Sequence, residues 1–165
     1  MNGGTAPPEP KLARKTCHIN RSSVGSSPKL RLAHINIGGG FHKKIDEISK
    51  IASENDIDIV AISETFLQDD PVVPGFQWVG KNNNEGIKRK GVGFLLTNKI
   101  RVFIPDQVME IMDPKLDIQW IGLDTETLSL ATAVVNVPSG CIQKFRDELW
   151  DYLDRTVRVF DKERF

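Results

Sequence analysis

Residues 30–65, LRLAHINIGGGFHKKIDEISKIASENDIDIVAISET, read as a strand, a glycine turn, an amphipathic helix and a second strand that ends in a carboxylate. Residues 30–37 are apolar with alternation. Ile45, Ile48, Ile51 and Ala52 follow at three- and four-residue spacings, which puts them on one helical face. Residues 57–63 form a nearly continuous apolar run, the signature of a strand covered on both faces. A strand–helix–strand unit of this length most often pairs its strands in parallel through a right-handed crossover. Both strands then end at one edge of the sheet, with Asn36 and Glu64 at the two ends. Open α/β sheets usually hold their ligands at that edge. An amide oxygen beside a carboxylate makes a hard, all-oxygen corner suited to a magnesium-like cation.

Glu64 closes a run of almost entirely apolar residues, so its carboxylate requires a partner or water. By its chemistry alone it serves equally well as an exposed strand-end charge or as a ligand. The Gly38-Gly39-Gly40 run precedes a helix, yet it has neither the Walker spacing nor the full dinucleotide fingerprint and reads as a flexible turn. His34 shares a strand face with Asn36 by the two-residue period. His34 and His42 both read as structural or exposed.

The chain has 165 residues, the size of one ordinary domain. Lys plus Arg is 22 and Asp plus Glu is 22, so net charge gives no sign of a polyanion partner, although a local patch can still bind one. No apolar run approaches the roughly 20 residues that span a bilayer. The N-terminus has no apolar signal core, so the expected location is nuclear or cytoplasmic, neither secreted nor membrane-bound. Cys17 and Cys141 show no metal-ligand spacing and read as reduced thiols.

Residues 1–28 are rich in Gly, Pro and Ser and are expected to form a disordered tail before a domain at 29–165. Lys11, Arg14, Lys15 and Arg21 in that tail read as solvated charge. Downstream of Glu64, Asp69 and Asp70 fall in a polar loop and Pro74-Gly75 in a turn. Short strands are predicted at 76–79 and 92–97, the second opened by Gly91 and Gly93, which permit close approach of backbone or substrate. Asn98-Lys99 is expected to turn the chain so that 101–104 returns beside 92–97. Lys88-Arg89-Lys90 suits phosphate contact and a solvated hairpin loop equally. Strands at 118–123 and 128–137 are expected to pair antiparallel around the turn at 124–127. Ile142, Phe145, Leu149 and Leu153 mark one face of a last helix, with Trp150 packed on or near it, and 157–160 reads as the start of a further strand.

HINIGGG followed by KIDEISKIASENDIDIVAISETFL resembles the start of the endonuclease/exonuclease/phosphatase superfamily. The closest likeness is to the apurinic-type endonuclease domains of LINE-type (non-LTR) retrotransposons. PGFQWVGKNN, KGVGFLLTNKI and the strand running into VNVPSG resemble later landmarks of that family, so the likeness spans about residues 30–153. The resemblance implies an α/β (α+β) fold, part of a four-layer αββα sandwich with a mixed sheet and flanking helices. It also implies that Asn36 and Glu64 bind Mg2+, with Glu64 catalytic, in hydrolysing a phosphodiester of DNA. In the retroelement branch that reaction nicks target DNA to prime reverse transcription.

The sequence departs from the family at several points. Asn136 stands where the family usually has a tyrosine. No Gly-Asp-x-Asn or Ser-Asp-His motif is present, and no histidine follows His42. The resemblance therefore implies the N-terminal half of such a domain, with most of the second sheet absent and no nuclease activity from the chain alone. The alternatives are a non-catalytic interaction module, binding a protein or itself through the incomplete sheet, and a non-functional fragment of a degenerate element.

Overall fold

Apolar residues at Phe41, Ile45, Ile48 and Ala52 recur every three or four positions, and all four are buried along one face of helix α1, Phe41–Glu54. A 14-residue helix is marginal by itself in water, so burial of this stripe is what holds it. Each fully buried Ile or Phe contributes about 1.5–3 kcal/mol relative to exposure. Ile51, expected on the same face, is exposed instead. It lies about 100° around the helix from Ala52, enough to turn it off the stripe. The computed structural model describes residues 29–82, 90–113, 116–124, 129–137, 140 and 143–162. The tail at 1–28, Cys17, Cys141, Lys88, Arg89 and residues 125–128 lie outside the described residues.

Helix α1 joins two parallel strands, β1 (Leu32–Asn36) and β2 (Ile59–Ser63), paired from Leu32↔Ile59 to Asn36↔Ser63. Every residue of β2 is buried, as a strand covered on both faces must be. β3 (Phe76–Lys81) and β4 (Val92–Thr97) complete a mixed four-stranded sheet of order β1-β2-β4-β3. After β4 the chain does not return beside it. Both edges of β4 are taken, by β2 and by β3, so the segment at 101–104 has no hydrogen-bonding row to join. Phe103 instead forms an isolated bridge with Gly122 in a second sheet.

That second sheet is the antiparallel pair β5 (Asp117–Asp124) and β6 (Ser129–Asn136), as the sequence predicts. A short helix, α2 (Asp106–Ile111), and a long one, α3 (Gln143–Lys162), cover its outer face. The expected strand at 157–160 is the end of α3. Leu149, Tyr152, Thr156 and Phe160 continue its buried stripe, and the Phe160 ring packs on Phe103 and Trp120. Trp150 is 67 % exposed, one position off that stripe.

Three apolar clusters separate the layers. One lies between α1 and the outer face of the four-stranded sheet, and includes Phe41, Ile45, Val60, Ile62 and Leu95. Another fills the space between the sheets with Ile59, Ala61, Phe94, Ile121 and Val134. The third packs α2 and α3 on the outer side of β5 and β6. The order of layers is α, β, β, α, a mixed α+β sandwich. Among the described residues no helix is long and apolar enough to cross a membrane.

Candidate functional site

The parallel register places Asn36, the last residue of β1, level with Ser63, so Glu64 leaves β2 beside it. Both carbonyl-end residues are tied to the glycine turn. Asn36 Oδ1 accepts from the Gly38 N–H at 3.0 Å, and the Gly39 N–H donates to the Glu64 carbonyl at 2.8 Å. Gly38, Gly39 and Gly40 all have φ in the left-handed region, at 55°, 83° and 70°. Three successive positions of that kind need glycine, which carries no Cβ to clash with the neighbouring carbonyls. The turn expected from the sequence thus has a second consequence: it fastens the ends of two strands to each other.

Glu64 itself has φ 58° and Phe66 φ 53°, both in the region that L side chains rarely adopt. Such a conformation costs of order 1–3 kcal/mol and persists only where surroundings enforce it. Here the enforcing groups are visible. The Thr65 N–H donates to the Gly91 carbonyl at 3.1 Å and the Phe66 N–H to the Lys90 carbonyl at 2.7 Å. Thr65 is buried, and a Cβ on Gly91 would lie 2.5 Å from its Oγ1. The glycine that opens β4 therefore admits the chain's own threonine.

The Lys90 ammonium donates to Glu64 Oε1 at 2.8 Å, and the neighbouring Asn36 side chain also favours the charged form of the carboxylate. The Glu64 side chain is 19 % exposed and that of Lys90 41 %. Together these groups hold the Glu64 carboxyl below its ordinary value of 4.5, the Lys90 hydrogen bond first and the Asn36 side chain second. A carboxyl depressed in the folded state stabilises the fold above its unfolded value, and that contribution disappears as pH falls through the folded value. Carbon-detected NMR of the side-chain carboxyls should find Glu64 titrating below 4.5, and titrating higher in Lys90→Met. A Glu64 titration at or above the ordinary value in the unsubstituted chain would contradict the ion pair.

The second sheet reaches the same rim. The Lys90 N–H donates to Asp117 Oδ2 at 3.0 Å, and the Asn136 amide donates to the same oxygen at 3.3 Å. Asp117 and Asn136 are register partners at the ends of β5 and β6. Asp117 Oδ1 is buried without a hydrogen-bond partner among the described residues. His34 stands apart in role: exposed, it meets Ser63 Oγ through Nε2 at 3.4 Å. His42 is exposed on α1, with its ring edge-on to Phe41. Asp69 and Asp70 are exposed, as expected.

The structure places Asn36 and Glu64 at the ends of adjacent strands, on the sheet edge the sequence indicates. Sequence reasoning marks Lys90 only as part of a basic run and does not mark Asp117, and the contacts of both with this rim are not apparent from it. The signal for Lys90 is the register Ser63↔Val92, which places residues just before β4 beside those just after β2. That register depends on β2 and β4 being neighbours.

No protein-family model matches the chain, and no curated protein matches it. Among solved structures it is similar to the crystal structure of the AP endonuclease LMAP from Leishmania major. The two share 17 % identity with a TM-score of 0.50, over 79 % of this chain and 47 % of that one. At that identity the likeness shows the fold, an AP-endonuclease-like α+β sandwich. The chain spans about half the length of the structure it matches.

Proposed function

We propose that these residues carry one half of a metal-dependent phosphodiesterase site of the DNA-nicking kind, descended from a LINE-type retroelement endonuclease. The observation that supports this most is the placement of Asn36 and Glu64 at the ends of two adjacent parallel strands, on the rim where both sheets end. The phrase NDIDIVAISET supports the retroelement ancestry.

The donor set fits magnesium. Asn36 Oδ1 and the Glu64 carboxylate are hard oxygen ligands, and magnesium is commonly held by one or two protein groups with waters and substrate phosphates filling the rest. Among the described residues no three His, Cys, Asp or Glu side chains cluster as a fuller cage. When bound, the ion would polarise a phosphodiester and neutralise the charge that builds on it. Asn36 and Glu64 would orient it; the Gly39 N–H holds the Glu64 backbone carbonyl, and the Gly38 N–H would share Asn36 Oδ1 with the ion.

At this rim Glu64 is paired with Lys90, and Asp117 Oδ2 accepts from the Lys90 N–H and the Asn136 amide while its Oδ1 is buried, so neither carboxylate is placed to take a proton from an attacking water, and the Ser-Asp-His motif that the resemblance assigns to that step is not in the sequence. Loss of general acid–base assistance alone costs about 10²–10⁴ in rate. The chain by itself is therefore expected to leave supercoiled plasmid intact in magnesium. In ¹H–¹⁵N spectra the same magnesium should perturb the amides of residues 36–39 and 64–66, and Glu64→Gln should abolish that response. Plasmid relaxation that disappears in Glu64→Ala would overturn the inactivity, and a magnesium response elsewhere in the chain would overturn the site.

A second reading, a non-catalytic interaction module, rests on the edge strand β1. Leu32, at 47 %, and Ile35, at 38 %, are exposed, while β2 beside them is fully buried. β1 is the first strand in the sheet order, so one of its hydrogen-bonding rows is unpaired among the described residues. An open apolar edge is a template for pairing with another chain. Light scattering behind gel filtration should then find a dimer that Leu32→Lys dissociates; a clean monomer would argue against this reading.

A further inference from the structure

We propose that Lys90 is a built-in competitor for the divalent cation: its ammonium and the metal take turns on the Glu64 carboxylate. The proposal rests on the metal-site reading above and concerns how that site is opened. Lys90 Nζ lies 2.8 Å from Glu64 Oε1, the distance of a charge-assisted hydrogen bond. Asn36 Oδ1, in turn, is taken by the Gly38 N–H. Both candidate ligands are thus satisfied from within the chain. A carboxylate already paired with an ammonium offers a dication no net charge.

The geometry also lets the lysine leave. Its backbone is anchored on both sides of the Cα, the N–H to Asp117 Oδ2 at 3.0 Å and the carbonyl accepting from the Phe66 N–H at 2.7 Å. The side chain, in contrast, is 41 % exposed and reaches water along a flexible stem. Exchange therefore needs a rotamer change and no movement of the strand. Once released, the ammonium remains at the rim, where an anionic phosphodiester would be its next partner.

The test is the affinity of the whole chain for Mn2+, read from the free-ion electron paramagnetic resonance signal, without substrate. Lys90→Met should bind Mn2+ about tenfold more tightly than the unsubstituted chain, because a like charge within ion-pair distance is removed. Lys90→Arg, which keeps the charge, should stay close to the unsubstituted chain. Adding Glu64→Gln to Lys90→Met should abolish the gain. A Lys90→Met chain that binds no tighter, while Glu64→Gln still abolishes binding, would overturn the competition and leave the metal site standing. Absence of Mn2+ binding in every variant would overturn both. If Lys90→Met does not fold, the unsubstituted chain decides. Its Lys90 Cε resonance should shift with magnesium in step with the Glu64 carboxyl, and an unmoved Lys90 signal beside a shifting Glu64 would overturn the proposal.

Discussion

Phe94→Ala is expected to lower the unfolding free energy by about 3–5 kcal/mol, a large part of the ~5–15 kcal/mol that holds a domain of this kind together. Phe94 is completely buried between the two sheets, among Ile59, Ala61, Ile121 and Val134. It sits on β4, which is hydrogen-bonded along both edges, to β2 and to β3. A strand held on both sides cannot shift inward to fill the space a lost ring leaves, so the cavity term adds to the lost transfer free energy. Urea titration followed by far-ultraviolet circular dichroism measures the change. A loss below about 1.5 kcal/mol would mean that the two sheets do not pack through this ring.

Gly93→Ala should cost about 1–3 kcal/mol, although it adds one methyl group to the neighbouring position. Side chains alternate along a strand, so residue 93 faces the α1 layer while Phe94 faces the interior of the sandwich. Gly93 pairs with Gly80 across β3 and β4, and the Trp78 indole lies over this pair. A Cβ on Gly93 would stand 2.4 Å from the Trp78 ring and 2.8 Å from the Gly80 backbone. The ring cannot retreat freely, because it packs edge-on to Phe41 with centroids 5.2 Å apart. Near-ultraviolet circular dichroism should report the displaced indole together with the lost stability. In the background of Trp78→Ala the same methyl should cost much less, a coupling that a double-mutant cycle reads directly. Equal costs in both backgrounds would show that the clash is with something other than the indole.

These two neighbours illustrate what a one-dimensional pattern conveys. The apolar run at 92–97 marks a buried strand, and its two glycines mark a close approach. What approaches is not written there. At Gly91 it is the Thr65 hydroxyl, and at Gly93 it is Trp78. Similarly, the ion pair at Glu64 joins residues 26 positions apart, and only the adjacency of β2 and β4 brings them together. The segment at 101–104 and the end of α3 were decided in the same way. A hairpin return is excluded when both edges of β4 are occupied, and Phe160 is drawn onto Phe103 and Trp120 as part of a helix.

By itself the sequence determined the strand–helix–strand unit with its parallel pairing, the placement of Asn36 and Glu64 at one sheet edge, and the β5–β6 pair. Those features rest on local periodicity and on chain stereochemistry, which act over a few tens of residues. Tertiary structure alone decided which strand flanks which, what satisfies the Glu64 carboxylate, and which apolar side chains remain outside. Strand order and register are set by burial shared among distant segments, and no single segment carries that information.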